Sequence, residues 1–250
     1  MRLLVISDIH ANLEALEACL DAAPEYDLVY NLGDIVGYGA NPNEVATRAR
    51  ELGTVFVRGN HDKACSGLTD LTDFNPIAGL AALWTRERLN EDHLQFLREL
   101  PHGPVTPTDG IQLVHGSPRD EDEYILMTND AYEILHQVPV PVTFFGHTHV
   151  QRCSLLEESG QGRTFPPAYK SAKGRQTATL ELGPKTKYLI NPGSIGQPRD
   201  GDPRAAFLIY DTDALVITFY RVPYDIALAQ EKIFAAGLPE RLAVRLEEGR

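Results

Sequence analysis

Cysteine is scarce in this sequence, and its three cysteines are too far apart to form a disulfide framework. Cys19, Cys65 and Cys153 also lack the C-x-x-C spacing of a metal or redox site. We therefore expect a protein of a reducing compartment. No apolar run approaches the roughly 18 residues that a membrane helix needs. Because residues 1–8 already have the pattern of a strand, we predict a soluble, cytoplasmic protein without a leader segment.

Positive charge is also scarce. The 23 lysines and arginines are outnumbered by 35 aspartates and glutamates, which gives a formal charge of -12. Such a protein lacks the cationic field that binding to nucleic acid or to an anionic membrane requires, so we expect neither partner. A phosphorylated small molecule or a nucleotide remains a suitable substrate if bound metal ions supply local positive charge. The sequence is compatible with a monomer or a homodimer.

The first sixty residues have an alternating pattern of strands and helices. RLLVIS (2–7), LVYNLG (28–33) and TVFVRG (54–59) have the pattern of buried strands, and apolar residues at helical spacing lie between them. Short connections between such elements predict parallel strands with right-handed crossovers. For the second helix we predict Asn41 as the capping residue and Pro42 as the first helical residue.

Two further buried strands are predicted at IQLVHG (111–116) and VTFFGH (142–147). The strand patterns that follow have no helices between them and predict an antiparallel meander. A final helix is predicted at about 224–236. Residues 158–176 form a polar stretch with four basic residues, which we interpret as an exposed hairpin tip, with a functional loop as the alternative. Because no linker marks a boundary, we expect residues 1–250 to form one domain.

Eight polar side chains follow the five predicted β-α strands. They are Asp8, His10, Asp34, Asn60, His61, His115, His147 and His149. The carboxyl ends of parallel strands share one edge of a sheet, so we expect these side chains to lie close together. Carboxylate, amide and imidazole donors without a thiolate suit Mn, Fe, Co, Ni or Zn. The candidate ligands exceed the needs of one four-coordinate ion and favour two ions that share an aspartate.

Each of these residues has a less specific interpretation when it is taken alone. An isolated Asp8 or Asp34 after a strand is often a helix cap or a loop residue. An isolated His115 in an apolar strand is often a hydrogen-bonded core residue. The pair His147 and His149 is harder to explain in this way, since alternation along a strand puts both rings on one face. Because five of the eight histidines follow strands, we favour the metal site.

Five sequence blocks resemble the signature blocks of the calcineurin-like metallophosphoesterases. They are SDIHAN, NLGDIV, RGNHD, LVHGSP and FGHTH, in this order, and the resemblance spans residues 1 to about 200. Within that family, the sequence resembles the phosphodiesterase-like and dinucleoside polyphosphate hydrolase-like branch. The resemblance implies an α/β fold, a four-layer α/β/β/α sandwich with two mixed β-sheets. It also implies a phosphoesterase with two divalent ions, of which manganese or iron is favoured.

The resemblance further implies a role for each residue of the site. One ion is bound by Asp8, His10, Asp34 and His149, and the other by Asp34, Asn60, His115 and His147. Asp34 is then the bridging ligand, and a hydroxide held between the ions is the expected nucleophile. His61 corresponds to the family histidine that contacts the scissile phosphate and protonates the leaving oxygen. Asp62 is expected to orient His61.

The second block departs from the pattern GD-x-x-x-R-G of the protein serine/threonine phosphatases and the symmetrical dinucleoside tetraphosphate hydrolases. Here Gly37 and Tyr38 occur instead of that arginine. The departure removes a bidentate phosphate clamp. Its loss would weaken the binding of a phosphomonoester dianion most. We therefore expect phosphodiester or nucleotide phosphoanhydride substrates, including dinucleoside polyphosphates. A serine/threonine protein phosphatase is the alternative, and a non-catalytic scaffold is less favoured.

The substrate is expected to contact four residues. These are Asn60, His61, Arg119 and Arg199. Arg119, three residues beyond Gly116, and Arg199, after the NPGS turn (191–194), are the candidates to replace the missing clamp. An ordinary surface position is the alternative for either arginine.

Overall fold

The computed structural model of the protein describes residues 1–53, 55–72 and 74–250. These residues form twelve strands and eight helices. The strands are β1 (Arg2–Ile6), β2 (Leu28–Asn31), β3 (Val55–Phe56), β4 (Val105–Thr108), β5 (Ile111–Leu113), β6 (Val142–Phe144), β7 (Arg152–Glu157), β8 (Gly162–Phe165), β9 (Gln176–Glu181), β10 (Thr186–Asn191), β11 (Ala205–Asp211) and β12 (Val216–Val222). The helices are α1 (Leu13–Ala22), α2 (Pro42–Leu52), α3 (Asn60–Ser66), α4 (Pro76–Arg88), α5 (Glu91–Glu99), α6 (Thr128–Gln137), α7 (Ile226–Ala235) and α8 (Glu240–Glu248).

The strands form two mixed sheets of six strands each. The first sheet has the order β3-β2-β1-β11-β12-β9, and the second has the order β4-β5-β6-β10-β7-β8. In the first sheet β1, β2 and β3 are parallel, whereas β1 is antiparallel to β11. In the second sheet β5, β6 and β10 are parallel, whereas β10 is antiparallel to β7. The predicted fold class, with two mixed sheets and helices around them, is confirmed.

Strand β1 shows how the layers are held together. Its sequence RLLVI is an almost continuous apolar run, as expected for a strand that is buried on both faces. Leu3 and Val5 belong to the apolar core between the two sheets, whereas Leu4 and Ile6 pack in the core under the helices of the first sheet. Successive side chains point to opposite faces of a strand, so one short segment joins both cores.

The second sheet is covered on its outer face by α6. Ala131, Ile134 and Leu135 of this helix form an apolar cluster with Phe145 and with Leu189 of β10. The two cores and this outer cluster therefore separate four layers, with helices outside each sheet. Among the described helices, none combines the length and the hydrophobicity that crossing a membrane requires.

The predicted antiparallel meander is wrong. Strands β7, β8 and β10 join the second sheet, whereas β9, β11 and β12 join the first. The predicted β-α strands are divided in the same way, since β1 to β3 lie in one sheet and β5 and β6 in the other. Hydrophobic alternation identifies a strand but not its neighbour, and this is why the sheet assignments could not be predicted.

Several elements differ from the predictions in extent. The helices α3 and α8 and the edge strand β4 were not predicted, and β8 lies within the predicted polar loop 158–176. Strand β4 contains Pro107, which an edge strand tolerates. Pro42 begins α2 as predicted, but the Asn41 side chain makes no capping hydrogen bond. Thr54, the first residue of the third predicted strand, lies outside the described residues.

Candidate metal centre

The polar side chains that follow the strands meet at one end of the stacked sheets. Asp8 and His10 follow β1, Asp34 follows β2, His115 follows β5, and His147 and His149 follow β6. The structure places the side chains of all six residues in the interior. Asn60 and His61 are the first residues of α3. Segments that are far apart in the sequence thus converge on one site.

One group within this site contains Asp8, His10, Asp34 and His149. A ligand atom from each of these residues lies within 4.8 Å of the others. His10 Nε2 lies 3.1 Å from His149 Nε2 and 3.5 Å from Asp34 Oδ2. Asp8 Oδ1 lies 3.3 Å from His149 Nε2. The group offers two carboxylates and two imidazoles to a single ion.

A second group contains Asp34, His115 and His147. His115 Nε2 lies 3.1 Å from His147 Nδ1 and 3.4 Å from Asp34 Oδ2. Asn60 Oδ1 lies 3.2 Å from His115 Nε2, so the amide oxygen is also part of this group. Asp34 Oδ2 faces His10 on one side and His115 on the other. The two groups share this one carboxylate.

The contact between His10 and His149 shows whether the site suits a metal ion. His10 Nδ1 lies 3.2 Å from the carbonyl oxygen of Val36, and His149 Nδ1 lies 2.6 Å from that of Gln197. A carbonyl oxygen only accepts, so the proton of each ring is on Nδ1. Burial lowers the pKa of both rings well below the usual value, and both are neutral. Two lone pairs therefore face each other at 3.1 Å, an arrangement that a shared cation would stabilise.

The contact between His115 and His147 is built in a similar way. His115 Nδ1 donates to the carbonyl oxygen of Leu32 at 2.8 Å, and His147 Nε2 donates to that of Asp122 at 3.1 Å. Burial lowers the pKa of His147 to about 3. Burial also lowers the pKa of His115, but the charge and hydrogen bond of Asp34 outweigh it and raise that pKa to about 10. Without a cation His115 thus holds a proton, which a bound metal ion would replace.

The backbone at the site is unusual. Five candidate ligands, Asp8, His10, Asp34, His147 and His149, have φ between 49° and 63°. Among the described residues, these are five of the nine non-glycine residues with positive φ. A left-handed conformation costs a side-chain-bearing residue about 1–3 kcal/mol and is often found at functional sites. The neighbouring hydrogen bonds must therefore hold these residues in place.

Asp62 supplies several of those hydrogen bonds. Its carboxylate accepts the backbone N–H groups of Asp34 at 2.9 Å, Ile35 at 2.9 Å and Gly59 at 3.0 Å. Asp62 is fully buried, and its carboxylate fixes the turn that carries Asp34. The expected hydrogen bond to the His61 ring is absent among the described contacts, because these amides take up both carboxylate oxygens. The geometry therefore makes Asp62 a positioning residue for Asp34.

The turn at residues 191–194 also fixes loops of the site. Asn191 Nδ2 donates to the carbonyl oxygen of Gly146 at 2.7 Å and to Thr148 Oγ1 at 3.1 Å. Ser194 Oγ donates to the carbonyl oxygen of Asp8 at 2.8 Å. One turn thus holds the FGHTH loop and the loop after β1 together.

His61 lies beside the cluster rather than within either group. Its ring is buried and lies 4.9 Å from that of His10, 4.3 Å from that of Tyr38 and 5.2 Å from that of Phe74. Burial lowers the pKa of His61 to about 4. The buried Nδ1 has no hydrogen-bond partner among the described residues. A Cβ added at Gly37, where φ is +90°, would lie 2.6 Å from this Nδ1, so the glycine makes room for the ring.

The two candidate clamp arginines differ in their surroundings. The Arg119 guanidinium lies 2.7 Å from Glu123 and 3.2 Å from Glu133, so two carboxylates already neutralise it. Arg199 donates to Gln197 Oε1 at 3.0 Å and lies with its guanidinium 5.8 Å from the centre of the Tyr38 ring. Arg119 has the geometry of a surface ion pair, whereas Arg199 lies next to the cluster.

One contact at the second group could not be predicted from the sequence. The ring of Tyr124 stacks on that of His147, with 3.7 Å between the ring centres. Lys63 holds the same segment, since its Nζ lies 2.8 Å from Glu121 and 2.6 Å from Asp122. The acidic run Asp120–Glu123 indicates a solvated loop, and nothing in it marks Tyr124 as part of the site.

Comparisons with known proteins agree with this geometry. Residues 1–215 match the family model for the calcineurin-like phosphoesterase superfamily domain. The chain is 37% identical over 253 residues to an uncharacterized protein of Methanocaldococcus jannaschii, covering 98% of this chain and 97% of that protein. It is 42% identical to a metallophosphoesterase from Sphaerobacter thermophilus, whose crystal structure matches with a TM-score of 0.86 over 100% of this chain and 99% of that one.

A hypothetical protein from Pyrococcus horikoshii OT3 has the same fold at lower identity. It is 22% identical, with a TM-score of 0.77 over 100% of this chain and 98% of that one. The family match covers most of the chain, and its His/Asp cluster has the donor set of a divalent metal site. The chain therefore belongs to the calcineurin-like phosphoesterase superfamily and is a metallophosphoesterase, a hydrolase of phosphoester bonds.

Proposed function

We propose that the protein is a dinuclear metal-dependent hydrolase of phosphodiesters or nucleotide phosphoanhydrides, including dinucleoside polyphosphates. The observation that carries this proposal is the position of Asp34 Oδ2, 3.5 Å from His10 Nε2 and 3.4 Å from His115 Nε2. One carboxylate oxygen can thus serve two ions. The oxygen and nitrogen donors suit manganese or iron. When bound, two such ions would lower the pKa of a coordinated water molecule and stabilise charge on the phosphoryl oxygens.

The ligand assignment follows the two groups. We assign Asp8, His10, Asp34 and His149 to one ion, and Asp34, Asn60, His115 and His147 to the other. The carbonyl oxygens that accept from the four imidazoles fix which nitrogen faces the ion. The buried carboxylate of Asp62 and the turn at Asn191 hold the ligands in their strained conformations.

We assign proton donation to the leaving oxygen to His61. The ring is neutral in its buried position, because burial lowers its pKa to about 4. A bound phosphate brings negative charge next to the ring and favours its protonated form. The contacts with Tyr38, Phe74 and Gly37 fix the ring, so a proton on it is delivered from a defined position.

We assign substrate binding to Arg199 and Asn60, together with His61. Arg199 takes the place of the missing clamp, since no carboxylate of the described residues lies within ion-pair distance of it. Arg119 is left out of the site because of its two glutamate partners. The Arg199 guanidinium is a single clamp and also contacts Tyr38. One guanidinium suits the singly charged phosphate of a diester or an internal anhydride better than a phosphomonoester dianion, which carries two charges.

The surroundings of the cysteines support a cytoplasmic location. Cys19, Cys65 and Cys153 are all free and buried. Free cysteines are usual where thiols are kept reduced. We also propose that residues 1–250 form a single domain, because β11 and β12 near the end of the chain pair in the same sheet as β1.

The proposed function can be tested with three substrates side by side. Manganese-loaded protein is assayed with bis(p-nitrophenyl) phosphate, diadenosine tetraphosphate and a phosphoserine peptide. We expect hydrolysis of the diester or the anhydride at rates well above that of the peptide, and loss of activity in a chelator. Preference for the peptide would indicate a protein phosphatase, and metal binding without any hydrolysis would indicate a scaffold. Either result would overturn the proposal.

A further inference from the structure

Two arginines at the edge of the metal site have no aspartate or glutamate partner among the described residues. Arg199 donates to Gln197 Oε1 at 3.0 Å, and its buried Nε has no hydrogen-bond partner. Arg245 on α8 donates through Nε to the backbone oxygen of Arg250. Among the described residues, no aspartate or glutamate side chain lies within ion-pair distance of either guanidinium. This is unexpected in a protein with a formal charge of -12.

The C-terminal helix brings Arg245 close to Arg199. Leu242 and Leu246 of α8 pack in the same apolar cluster as Tyr38, whose ring lies under the Arg199 guanidinium. The backbone N–H of Gly201 donates to the carbonyl oxygen of Gly249 at 3.0 Å, which ties the end of α8 to the segment after Arg199. Burial and then the charge of Arg199 lower the pKa of Arg245 to about 10, so Arg245 remains charged at neutral pH.

This pair of arginines borders the metal site directly. The backbone N–H of Arg199 donates to the carbonyl oxygen of His149 at 3.1 Å. The ring of Tyr38 lies 4.7 Å from that of His10, and its hydroxyl lies 3.5 Å from Arg199 Nη2. Arg245 lies in α8 between Leu242 and Leu246, which pack with Tyr38, and the ring of Tyr124 stacks on that of His147. Two guanidinium groups and two tyrosines therefore form one rim of the site.

An arrangement of two neighbouring cations is unfavourable by itself and becomes favourable when an anion lies between them. We propose that Arg245, which lies beside the Arg199 clamp and the hydroxyls of Tyr38 and Tyr124, binds a phosphate group that adjoins the scissile phosphate. This inference rests on the proposed function and narrows its substrate class to phosphoanhydrides, such as dinucleoside polyphosphates. A simple diester has no second phosphate for this subsite.

The subsite is tested by comparing two substrates in Arg245 variants. For the manganese-loaded wild type, Arg245→Gln and Arg245→Lys, kcat/KM is measured on diadenosine tetraphosphate and on bis(p-nitrophenyl) phosphate. Arg163→Gln is the charge-matched control, because it removes an exposed arginine of β8. Far-ultraviolet circular dichroism and melting temperatures show whether each variant is folded.

We expect Arg245→Gln to lower the ratio of anhydride to diester kcat/KM by about ten- to a hundredfold, the size of a lost charge-assisted hydrogen bond. Arg245→Lys should restore part of the ratio, and Arg163→Gln should leave it unchanged. An unchanged ratio in Arg245→Gln would refute the subsite. Wild-type protein that cleaves the diester but not the anhydride would also refute it, while the proposed function would stand.

A binding measurement separates the subsite from the proposed function. Methylenediphosphonate and inorganic phosphate are titrated by calorimetry into chelator-treated wild type and Arg245→Gln. We expect the diphosphonate to bind the wild type more tightly than phosphate does, and Arg245→Gln to remove most of that difference. Equal binding of both anions to the wild type would contradict the subsite even if no substrate is hydrolysed.

Discussion

The carboxylate of Asp62 accepts the backbone N–H of Asp34 at 2.9 Å, so a buried acid outside both candidate ligand groups fixes the carboxylate that the two groups have in common. The same side chain also accepts from Ile35 and Gly59. The turns after β2 and β3 are therefore joined through one buried acid. This connection gives Asp34 its left-handed conformation, with φ of 55°.

Replacement of Asp62 should weaken both the fold and the metal site. In Asp62→Asn an amide nitrogen takes the place of one accepting oxygen, and a buried N–H group loses its partner. We expect the free energy of unfolding to fall by about 1–3 kcal/mol and the metal content to be reduced. Chemical denaturation and elemental analysis measure the two effects. Asp109→Asn, an exposed residue in the turn between β4 and β5, is the control and should change neither.

Replacement of His61 should affect turnover but not metal binding. His61→Ala removes a ring that borders the cluster without belonging to either ligand group. We expect kcat to fall by about 10² to 10⁴, as for the loss of a general acid. The metal content should equal that of the wild type and of His136→Ala, which removes an exposed histidine of α6. Loss of an ion in His61→Ala would show instead that His61 is a ligand.

Gly37 should be as sensitive as the histidine it accommodates. In Gly37→Ala the added Cβ would lie 2.6 Å from His61 Nδ1, so the ring must move. Gly160→Ala is a matched control, because φ at Gly160 is +83° and no atom lies within 4 Å of the added Cβ. Both variants carry the backbone strain, but only Gly37→Ala should lose turnover while it keeps its metal. Equal activity of the two variants would contradict this role.

Metal binding should depend on pH. His115 has a pKa of about 10 in the absence of a cation and must lose its proton to become a ligand. The affinity for metal should therefore rise with pH across the neutral range, by about tenfold per unit for one released proton. Competition with a chromophoric chelator at several pH values measures this slope. An affinity that is independent of pH, after correction for the chelator, would show that no proton is displaced.

The convergence of these polar side chains could be predicted from the sequence, because each follows an apolar strand. Asp8, Asp34 and His115 could be predicted from that pattern alone, and their convergence follows from the parallel β-α order. Their backbone conformations could not be predicted. Aspartate and histidine adopt positive φ only where neighbouring groups enforce it, and here those groups include Asp62, Asn191 and Ser194, which are distant in sequence.

The sheet order and the surroundings of the arginines could not be predicted from the sequence pattern either. Leu189 of β10 packs against α6 while Ile190 packs between the sheets, so β10 is buried on both faces, but this alternation does not identify β6 and β7 as its neighbours. Leu242, Ala243 and Leu246 do have helical spacing, so α8 could have been found and Arg245 with it. The difference between Arg119 and Arg199 depends on which carboxylates lie nearby in the fold.

The metal content of Asp34→Asn tests the shared ligand most directly. Wild-type protein and Asp34→Asn are loaded with manganese, freed of excess metal and analysed by inductively coupled plasma mass spectrometry, with Asp109→Asn as the control. Because the Asp34 carboxylate faces both His10 and His115, we predict two ions per chain in the wild type and the control, and loss of both in Asp34→Asn. Two ions retained in Asp34→Asn, or a single ion in the wild type, would contradict a shared dinuclear centre.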